Sequence, residues 1–540
     1  MAIATPVRVP IGARLTTREK LVVMVALMTG MFLFALDQSI VATAVPRIVA
    51  DLNGFSEVGW IFTIYLVSST VTIPFVGKLS DMFGRRNYLI GGITVFVAAS
   101  LACGLAPSMP FLIAMRCAQG IGGGAIVACV FATLGDLWTP IERAKFLPLM
   151  TGMFTFSLMA GPAIGGFLTD GPGWRWCFYI NLPLGALAVT LIMLRLPAGG
   201  GTGGRASEVD FIGSALLTIA TLAAMFAVIW ASEAFGWTAA PTLGLFLLAG
   251  VAAVAFVWQE RRHPNAVIPL SLFRNLPFVQ SIGITLLAAS CIFGALPYLP
   301  TFVQASLGGS ATASGVVIVP RALALLMTSA LAGQFVSRTG QYKRVMIAGA
   351  CCMLVATFLL RGLHSGEPIW HLAVFMGLLG FGEGMVFPIS QVVVQAAVSS
   401  DEQGVAASSR QFFVQVAQAF GTGIFGLVFA TAYLSGFVHD TRDLAAAVPP
   451  AVYEEFKDPT KALDVTKFRA TADVVRAQPG GEVLLQHARE AQQRSVASAI
   501  KLMFGVSTAA AVGVLIVALT LRQIPLRRSF AEPALPPEVL

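Results

Sequence analysis

Charged residues are scarce in this 540-residue chain, since Asp, Glu, Lys and Arg together make up only 11% of it. Soluble globular proteins usually contain about 25% charged residues. Apolar residues account for 56% of the sequence, and its mean hydropathy is +0.79. Many of them lie in runs of about 18 to 25 residues, which are long enough to cross a bilayer as helices. The shortage of charge therefore excludes an ordinary soluble protein and predicts an integral membrane protein.

Motifs for enzymatic chemistry are missing as well. The glycine-rich stretch LPAGGGTGGRASEVD has no strand before it and no Gly-Lys-Ser/Thr after it, so we interpret it as a flexible linker rather than a phosphate-binding loop. The sequence has no His-rich metal-binding spacing and no nucleophile elbow. All seven cysteines lie in or beside apolar runs, which gives no disulfide framework. The sequence therefore predicts neither an enzyme nor a metal site.

Fourteen apolar runs are predicted to cross the membrane as helices, so the expected fold is an all-α membrane protein. Their approximate limits are 21–45, 58–77, 87–106, 110–134, 146–169, 178–196, 211–231, 241–258, 276–303, 314–337, 345–362, 369–393, 405–432 and 498–521. Basic residues cluster in alternate gaps between these runs, a pattern that follows the positive-inside rule and places both termini in the cytoplasm. The same spread along the chain argues against a nucleic-acid-binding surface, although the net charge is +8.

A short repeat divides the chain into two halves. GKLSDMFGRRNYLIGG follows the second run and GQFVSRTGQYKRVMIAG follows the tenth. In each copy a glycine is followed by Asp81 or Ser337 four residues later, by a second glycine after seven and then by basic residues. Secondary transporters built from internal repeats have this symmetry. The predicted domains are a cytoplasmic N-terminus at 1–20, a six-helix half at 21–196, a linker with two extra helices at 197–275, a six-helix half at 276–521 that includes a long external loop at 433–497, and a cytoplasmic tail at 522–540.

Asp37, in the stretch FLFALDQSIVATAVP of the first span, is a carboxylate at membrane depth. A charged side chain there costs about 2.5–3.5 kcal/mol on insertion scales, so such residues usually have a function. At about 1.5 Å per residue, Asp37 lies about 13 Å and Arg116 of the fourth span about 9 Å below the outer surface. We expect the two side chains to form a pair that protonation can break, with a role in transport. A static structural salt bridge is the alternative.

Glu383 in the twelfth span and Arg321 in the tenth are two further charged residues inside predicted spans. The same count places Glu383 about 21 Å and Arg321 about 10 Å below the outer surface, which predicts that the two do not readily pair. We interpret Glu383 as a second site for a proton or a cation, or else as a residue that hydrogen-bonds between helices. Arg321 could extend outward to the membrane surface.

Five motifs occur in order at the expected spans: LDQSIVATAVPRI in the first, GKLSDMFGRR after the second, RCAQGIGGG in the fourth, GPAIGGFL in the fifth and WRWCFYINLPLG at the sixth. Together they resemble the major facilitator superfamily, in particular its fourteen-span drug:proton antiporters of the EmrB/QacA type. The resemblance covers nearly the whole chain and implies two six-helix halves with two inserted helices. It also implies that Asp37 and Arg116 lie in a central cavity.

The resemblance further implies that the protein exports hydrophobic or cationic drugs across a bacterial inner membrane by alternating access. A proton gradient would supply the energy without any cofactor, and a periplasmic adaptor protein is a possible partner. Two alternatives stay open. The same fold could serve a dedicated exporter of a lipid, siderophore or metabolite, or the chain could be a non-transporting membrane scaffold or sensor.

The motif GKLSDMFGRR implies a cytoplasmic gate that links the two halves. The expected gate residues are Gly77, Asp81, Gly84, Arg85, Arg86, Asp136 and Arg143. The glycines allow close packing and a tight turn, and Asp81 can lie at the N-terminus of the following helix. Arg85 and Arg86 are expected to face the cytoplasm. A basic loop that only sets the topology is the alternative.

The motif GPAIGGFL of the fifth span is rich in small residues. It contains Gly161, Pro162, Gly165 and Gly166. Small residues at helical spacing let two helices approach closely, and proline bends the span. The resemblance associates this motif with export by antiport, whereas a packing seam between helices is the alternative.

Arg410 in the thirteenth span is a departure from the family pattern. Related sequences often have a base at the position of Val414, whereas this chain has Arg410 one turn earlier. Any family role for that base is therefore open in this chain.

Overall fold

The computed structural model describes residues 11–52, 57–198, 201, 208–233, 236–364, 366–399, 401–457, 473–476 and 480–529. These residues are helical almost throughout, and none of them belongs to a β-strand. Most of the linker stretch LPAGGGTGGRASEVD lies outside the described residues, as do the two ends of the chain at 1–10 and 530–540.

Within the described residues, fourteen helical segments are long and apolar enough to cross a membrane. In chain order they are Thr17–Leu52 (α1), Val58–Phe83 (α2), Arg85–Gly104 (α3), Met109–Leu137 (α4), Pro140–Asp170 (α5), Trp176–Arg195 (α6), Phe211–Ala231 (α7), Ala240–Glu260 (α8), Leu276–Ser306 (α9), Ala313–Thr339 (α10), Tyr342–Arg361 (α11), Ile369–Ala396 (α12), Gln403–Asp440 (α13) and Gly481–Thr520 (α14). This confirms the predicted all-α membrane fold with fourteen spans.

The repeated motif places a glycine with a positive φ at the turn between two helices in each half. Gly84 has a φ of 100° between α2 and α3, and Gly340 has a φ of 71° between α10 and α11. Glycine adopts positive φ values without the steric cost that other residues meet. The turn therefore explains why the second glycine of the motif is present in both copies, although Asp81 of the first copy corresponds to Ser337 in the second.

The two halves pack their helices in the same way. In the N-terminal half α1 packs on α5, and α4 packs on both α2 and α3. In the C-terminal half α9 packs on α13, and α12 packs on both α10 and α11. Small residues permit this close approach, as where Gly124 of α4 lies against α2 and Gly384 of α12 lies against α10. The internal repeat read from the sequence thus corresponds to a repeated set of helix contacts.

The two halves meet along two seams, one between α2 and α13 and the other between α5 and α10. The inserted helices α7 and α8 pack on each other, and α7 also contacts both α2 and α13. The ring of Trp60 in α2 lies 5.5 Å from that of Phe226 in α7. On the other side, Gly423 of α13 leaves room for Val228 of α7. The inserted pair therefore lies beside the α2–α13 seam.

The last two spans are longer helices than their apolar runs predicted. α13 continues past the predicted limit at 432, and α14 begins before the predicted limit at 498. Two short helices, Arg442–Ala447 and Pro450–Lys457, follow α13, so much of the described part of the predicted loop 433–497 is helical. Aromatic side chains at helical spacing explain the extension of α13, since the rings of Tyr433 and Phe437 stack 5.8 Å apart.

Candidate functional site

A cavity of about 420 Å³ lies between the two halves. Its wall is formed by α1, α4 and α5 from the N-terminal half and by α9, α10, α12 and α13 from the C-terminal half. Phenylalanine and methionine side chains make much of the wall apolar and adaptable to bulky molecules. The charged residues of the described wall are Arg321, Glu383 and Arg410. In the described part of the chain, no cluster of His, Cys, Asp and Glu residues is placed to hold a metal ion.

Glu383 of α12 and Arg321 of α10 form an ion pair on this wall. Nε of Arg321 lies 2.9 Å from Oε1 of Glu383, and Nη2 lies 2.8 Å from Oε2. The guanidinium and the carboxylate therefore meet edge to edge, which is the strongest geometry for this pair. The glutamate side chain is 1% exposed and the arginine side chain 12% exposed. The pair joins two helices, and its arginine remains accessible from the cavity.

The expectation that Arg321 and Glu383 differ too much in depth to pair is wrong. Gly380 and Gly384 bring the backbone of α12 directly against α10, opposite the carbonyls of Arg321 and Leu325. Glu383 is three residues beyond Gly380, so it lies only about 4.5 Å below the level of Arg321. A count of residues from the end of each apolar run is correct only if both spans start at the same level. Here the contacts of Gly380 and Gly384 set the register of α12 against α10.

Arg410 of α13 is the third charged group of the wall, and it is buried. Its guanidinium donates hydrogen bonds of 2.8 to 3.0 Å to four neutral groups: the hydroxyl of Ser390, the side-chain carbonyls of Gln391 and Gln411, and the main-chain carbonyl of Phe387. Among the described residues no carboxylate forms an ion pair with it. Arg410 is thus a fixed positive charge that is hydrogen-bonded but not neutralised.

Asp37 of α1 lies in a second buried cluster, inside the N-terminal half. Nη1 of Arg116 donates to Oδ2 of Asp37 over 2.5 Å, and Oδ1 accepts from the amides of Gln119 at 2.8 Å and Asn181 at 3.1 Å. Both amides also donate to the hydroxyl of Ser100. All five side chains are fully buried. The cluster therefore ties α1, α3, α4 and α6 together.

The cavity wall includes neither Asp37 nor Arg116, contrary to the placement that the family resemblance implied. The wall instead includes Gln38, the next residue of α1. Successive residues of a helix point about 100° apart, so α1 turns Gln38 toward the cavity and Asp37 into the N-terminal half. On its other side the guanidinium of Arg116 lies 4.3 Å from the centre of the Tyr65 ring. The ion pair is present, but it lies behind the cavity wall.

The motif GPAIGGFL forms a packing contact between α5 and α1. Gly161 and Gly165 lie directly against α1, where a larger side chain would collide with it. Gly166 faces open space. Pro162 lies inside α5, which continues through it. Two of the four motif residues therefore hold α5 against the helix that carries Asp37.

Arg85 is fully buried at the start of α3, so the expectation that it faces the cytoplasm is wrong. It forms ion pairs with Asp81 and with Asp136, whose Oδ2 lies 3.0 Å from Nε of Arg85. Two buried carboxylates need a cation between them, which keeps Arg85 inside. Arg86 is partly exposed and donates to the main-chain carbonyl of Met193 over 2.7 Å.

Arg143 of α5 links the two halves at the end of the bundle that carries these basic loops. Nη1 donates to Oε1 of Gln395 in α12 over 3.0 Å, and Nη2 donates to Oε1 of Gln403 in α13 over 3.0 Å. The amide of Gln395 donates in turn to the main-chain carbonyl of Phe131 in α4 over 3.0 Å. These hydrogen bonds cross from one half to the other at this end.

Sequence reasoning missed Gln395 and Gln403. A signal was present, because Gln391 and Gln395 lie one turn apart in the apolar run FPISQVVVQAA. Polar side chains at helical spacing in a membrane span need partners on a neighbouring helix. Gly77 adds to the same contact, since it packs against Ser408 of α13. Small and neutral polar residues around Arg143 thus hold the two halves together at this end, which is the closed end of the bundle.

Known proteins share this architecture. The profile described as Major Facilitator Superfamily matches residues 27–212 and 211–422. The multidrug transporter protein MdtP of Bacillus subtilis (strain 168) is 35% identical over 410 residues, which cover 76% of this chain and 75% of MdtP. Multidrug resistance protein 3 of the same organism is 31% identical over 406 residues, which cover 75% of this chain and 79% of that protein.

A solved structure is similar over nearly the whole length. The crystal structure of the human organic anion transporter MFSD10 (TETRAN) matches with a TM-score of 0.58 and 14% sequence identity, covering 92% of this chain and 99% of that one. At this identity the similarity concerns the fold alone. The profile match over both halves and the relatives above 30% identity concern the sequence itself. The chain therefore belongs to the major facilitator superfamily and is a multi-pass membrane transporter.

Proposed function

We propose that this protein is a proton-coupled antiporter that exports hydrophobic, cationic or related amphipathic compounds across a bacterial inner membrane by alternating access. The observation that carries the proposal is the ion pair of Glu383 and Arg321 on the wall of a cavity enclosed by both halves. Ionisable residues inside membrane spans are costly and are usually retained for function. Two relatives, a multidrug transporter and a multidrug resistance protein, support the substrate class.

Glu383 is the group at which a proton and a cationic substrate compete. While it is ionised, Arg321 balances its charge. A proton arriving from outside neutralises the carboxylate, and Arg321 then loses its charged partner. A cationic substrate arriving from the cytoplasm can take the place of the proton at the same carboxylate. Because one negative charge cannot hold both at once, binding of either favours release of the other.

We assign this coupling to Glu383 rather than to Asp37. Three side chains donate to Asp37, all of them fully buried, and the cavity does not reach the carboxylate. A substrate in the cavity therefore has no contact through which it could exchange with a proton on Asp37. In this proposal the Asp37 cluster keeps the helices of the N-terminal half in a fixed arrangement while the halves move.

Alternating access requires the closed end to open toward the cytoplasm. The hydrogen bonds from Arg143 to Gln395 and Gln403 cross between the halves and must break in that step. Their acceptors are neutral amides, so breaking them costs less than separating a buried ion pair. The gate can therefore be stable when closed and still open during each cycle.

The substitution Glu383→Gln in proteoliposomes tests the proposal. A pH gradient is imposed, and the transport of tetraphenylphosphonium and the accompanying movement of protons are recorded. We expect pH-driven transport to fall at least about tenfold, equivalent to ~1.4 kcal/mol, while exchange of substrate without a gradient continues at substrate concentrations high enough to offset the weaker binding.

A matched control is Glu367→Gln, which makes the same change just before α12. Oε2 of Glu367 lies 2.7 Å from His371, outside the cavity wall, so this variant should transport like the wild type. Undiminished pH-driven transport by the Glu383→Gln variant would contradict the proposal.

A further inference from the structure

The charges on the cavity wall do not cancel. Of the charged side chains in the described wall, Glu383 and Arg321 neutralise each other and Arg410 is left. The opposite wall, from the N-terminal half, contributes neutral side chains such as Gln38 and Thr155. The cavity therefore carries an excess positive charge in a setting where little water is available to screen it.

Arg410 lies at a different level from the ion pair. Its acceptors on α12 are Phe387, Ser390 and Gln391, which follow Glu383 by four to eight residues. At about 1.5 Å per residue, the guanidinium lies about 6–12 Å from Glu383 along the helix, toward the closed end. The cavity thus has two charged poles, a carboxylate nearer its outer end and an arginine nearer its inner end.

One edge of the Arg410 guanidinium is held only by glutamine side chains of the cavity wall. Ser390 and the main-chain carbonyl of Phe387 hold Nε and Nη2. Nη1 donates to Gln391 and Gln411, which are themselves side chains of the cavity wall. Rotation of either glutamine exposes an N–H of Nη1 to the cavity without disturbing the other edge of the guanidinium.

We propose that Arg410 is an anion-binding pole of the cavity, and that the preferred substrates are zwitterionic amphipaths. Their cationic group binds the carboxylate of Glu383. Their own carboxylate or other acidic group lies against Nη1 of Arg410. This inference rests on the proposed function for the binding of a cation at Glu383. A purely cationic molecule adds charge to an already positive cavity, whereas a zwitterion does not. A carboxylate adds the attraction between opposite charges to the hydrogen bond from Arg410, so the acidic group improves on the neutral glutamine carbonyl that it replaces.

Binding of a matched pair of dyes tests this proposal. Rhodamine B is zwitterionic at neutral pH, and its ethyl ester has the same ring system but only the positive charge. Equilibrium binding of each dye to the purified full-length protein in lipid nanodiscs is measured by fluorescence anisotropy. We expect the wild type to bind rhodamine B about tenfold more tightly than the ester. Equal binding, or tighter binding of the ester, would overturn the proposal without any variant.

Two substitutions at Arg410 separate its charge from its packing. Arg410→Gln should weaken the binding of rhodamine B about tenfold and should not weaken that of the ester, which no longer meets an excess positive charge, so the preference disappears. Arg410→Lys keeps the charge and should keep most of the preference. If instead both variants weaken both dyes equally, Arg410 only clamps α12 to α13 and the proposal is wrong. Binding of the ester also reports that each variant is folded.

These measurements are independent of proton coupling. The pH is the same throughout the sample, so a transporter that is not driven by protons would still show the preference for rhodamine B. Conversely, Glu383→Gln is expected to weaken both dyes, because both carry the cationic group. A failed coupling experiment and a failed binding preference can therefore be told apart.

Discussion

Besides the ion pairs of Arg85 at one end of the bundle, each half of the protein has a buried ion pair between an arginine and a carboxylate inside its spans, and the surroundings of these two pairs differ. In the N-terminal half, Asp37 accepts hydrogen bonds from Arg116 and from two amide side chains, all of them fully buried. In the C-terminal half, Glu383 accepts from Arg321 alone among the described residues and borders the cavity. The N-terminal pair is built into the packing of a bundle, whereas the C-terminal pair lies where a ligand can reach it.

A charge that is buried in a membrane span therefore does not by itself identify a transport site. Both carboxylates carry the same insertion cost. What separates them is access, because only a group on the cavity wall can exchange its partner for a proton or a substrate. A pair surrounded by further hydrogen bonds instead fixes the positions of the helices that supply them.

The largest effect on stability is expected for Arg116→Gln. This change leaves the carboxylate of Asp37 buried without a cation, and removal of one partner from a buried ion pair costs about 3–5 kcal/mol. The matched change Arg321→Gln should cost less, roughly 1–3 kcal/mol, because Glu383 borders the cavity and can be solvated or protonated there. Chemical denaturation of both variants in detergent measures the two free energies of unfolding. Equal losses, or a larger loss for Arg321→Gln, would remove the distinction between the two pairs.

A smaller effect is expected for Asp37→Asn. Asparagine still offers Oδ1 as an acceptor, but Arg116 is left buried without a counter-charge, so the free energy of unfolding should fall by about 3 kcal/mol, the low end of the cost of breaking a buried ion pair. The number of protons moved per substrate molecule should not change, because the cavity does not reach this residue. Vesicles with matched amounts of folded protein, assayed for both proton and substrate flux, give this ratio. If the Asp37→Asn variant folds normally but moves fewer protons per substrate molecule, the coupling site lies in the N-terminal half, and Asp37 rather than Glu383 is the residue that exchanges protons.

The two pairs were not equally predictable from the sequence. Counting residues from the ends of the apolar runs places Asp37 and Arg116 at depths that differ by only about 4 Å, and they do meet. The same counting fails for Arg321 and Glu383, because glycine contacts between α10 and α12 set the register there. Such an offset between two helices has no signature in the hydrophobicity of either one.

The sequence also did not predict toward which side of its helix bundle a side chain points. Helices that are apolar on all sides have no polar face that would orient them. Asp37 and Gln38 are neighbours in the chain, yet of these two residues only Gln38 belongs to the cavity wall. The partner of Arg143 was equally hard to predict from the sequence, since Arg143 binds Gln395 across a separation of 252 residues. By contrast the turns at Gly84 and Gly340 follow directly from the motif, because their positive φ values require a particular residue type.

The smallest effect is expected from two alanine substitutions that test how α5 holds the N-terminal pair in place. Gly161 lies directly against α1, so Gly161→Ala should lower the free energy of unfolding by about 1 kcal/mol, the low end of the cost of overpacking. Gly166 faces open space inside the same helix, so Gly166→Ala should leave the free energy of unfolding unchanged or raise it by up to about 1 kcal/mol. Both changes add one methyl group to the same helix, so their difference in thermal or chemical unfolding reports the contact with α1. If the two variants are equally stable, α5 does not hold α1 through this seam, and the hydrogen bonds of the Asp37 cluster must fix the helix by themselves.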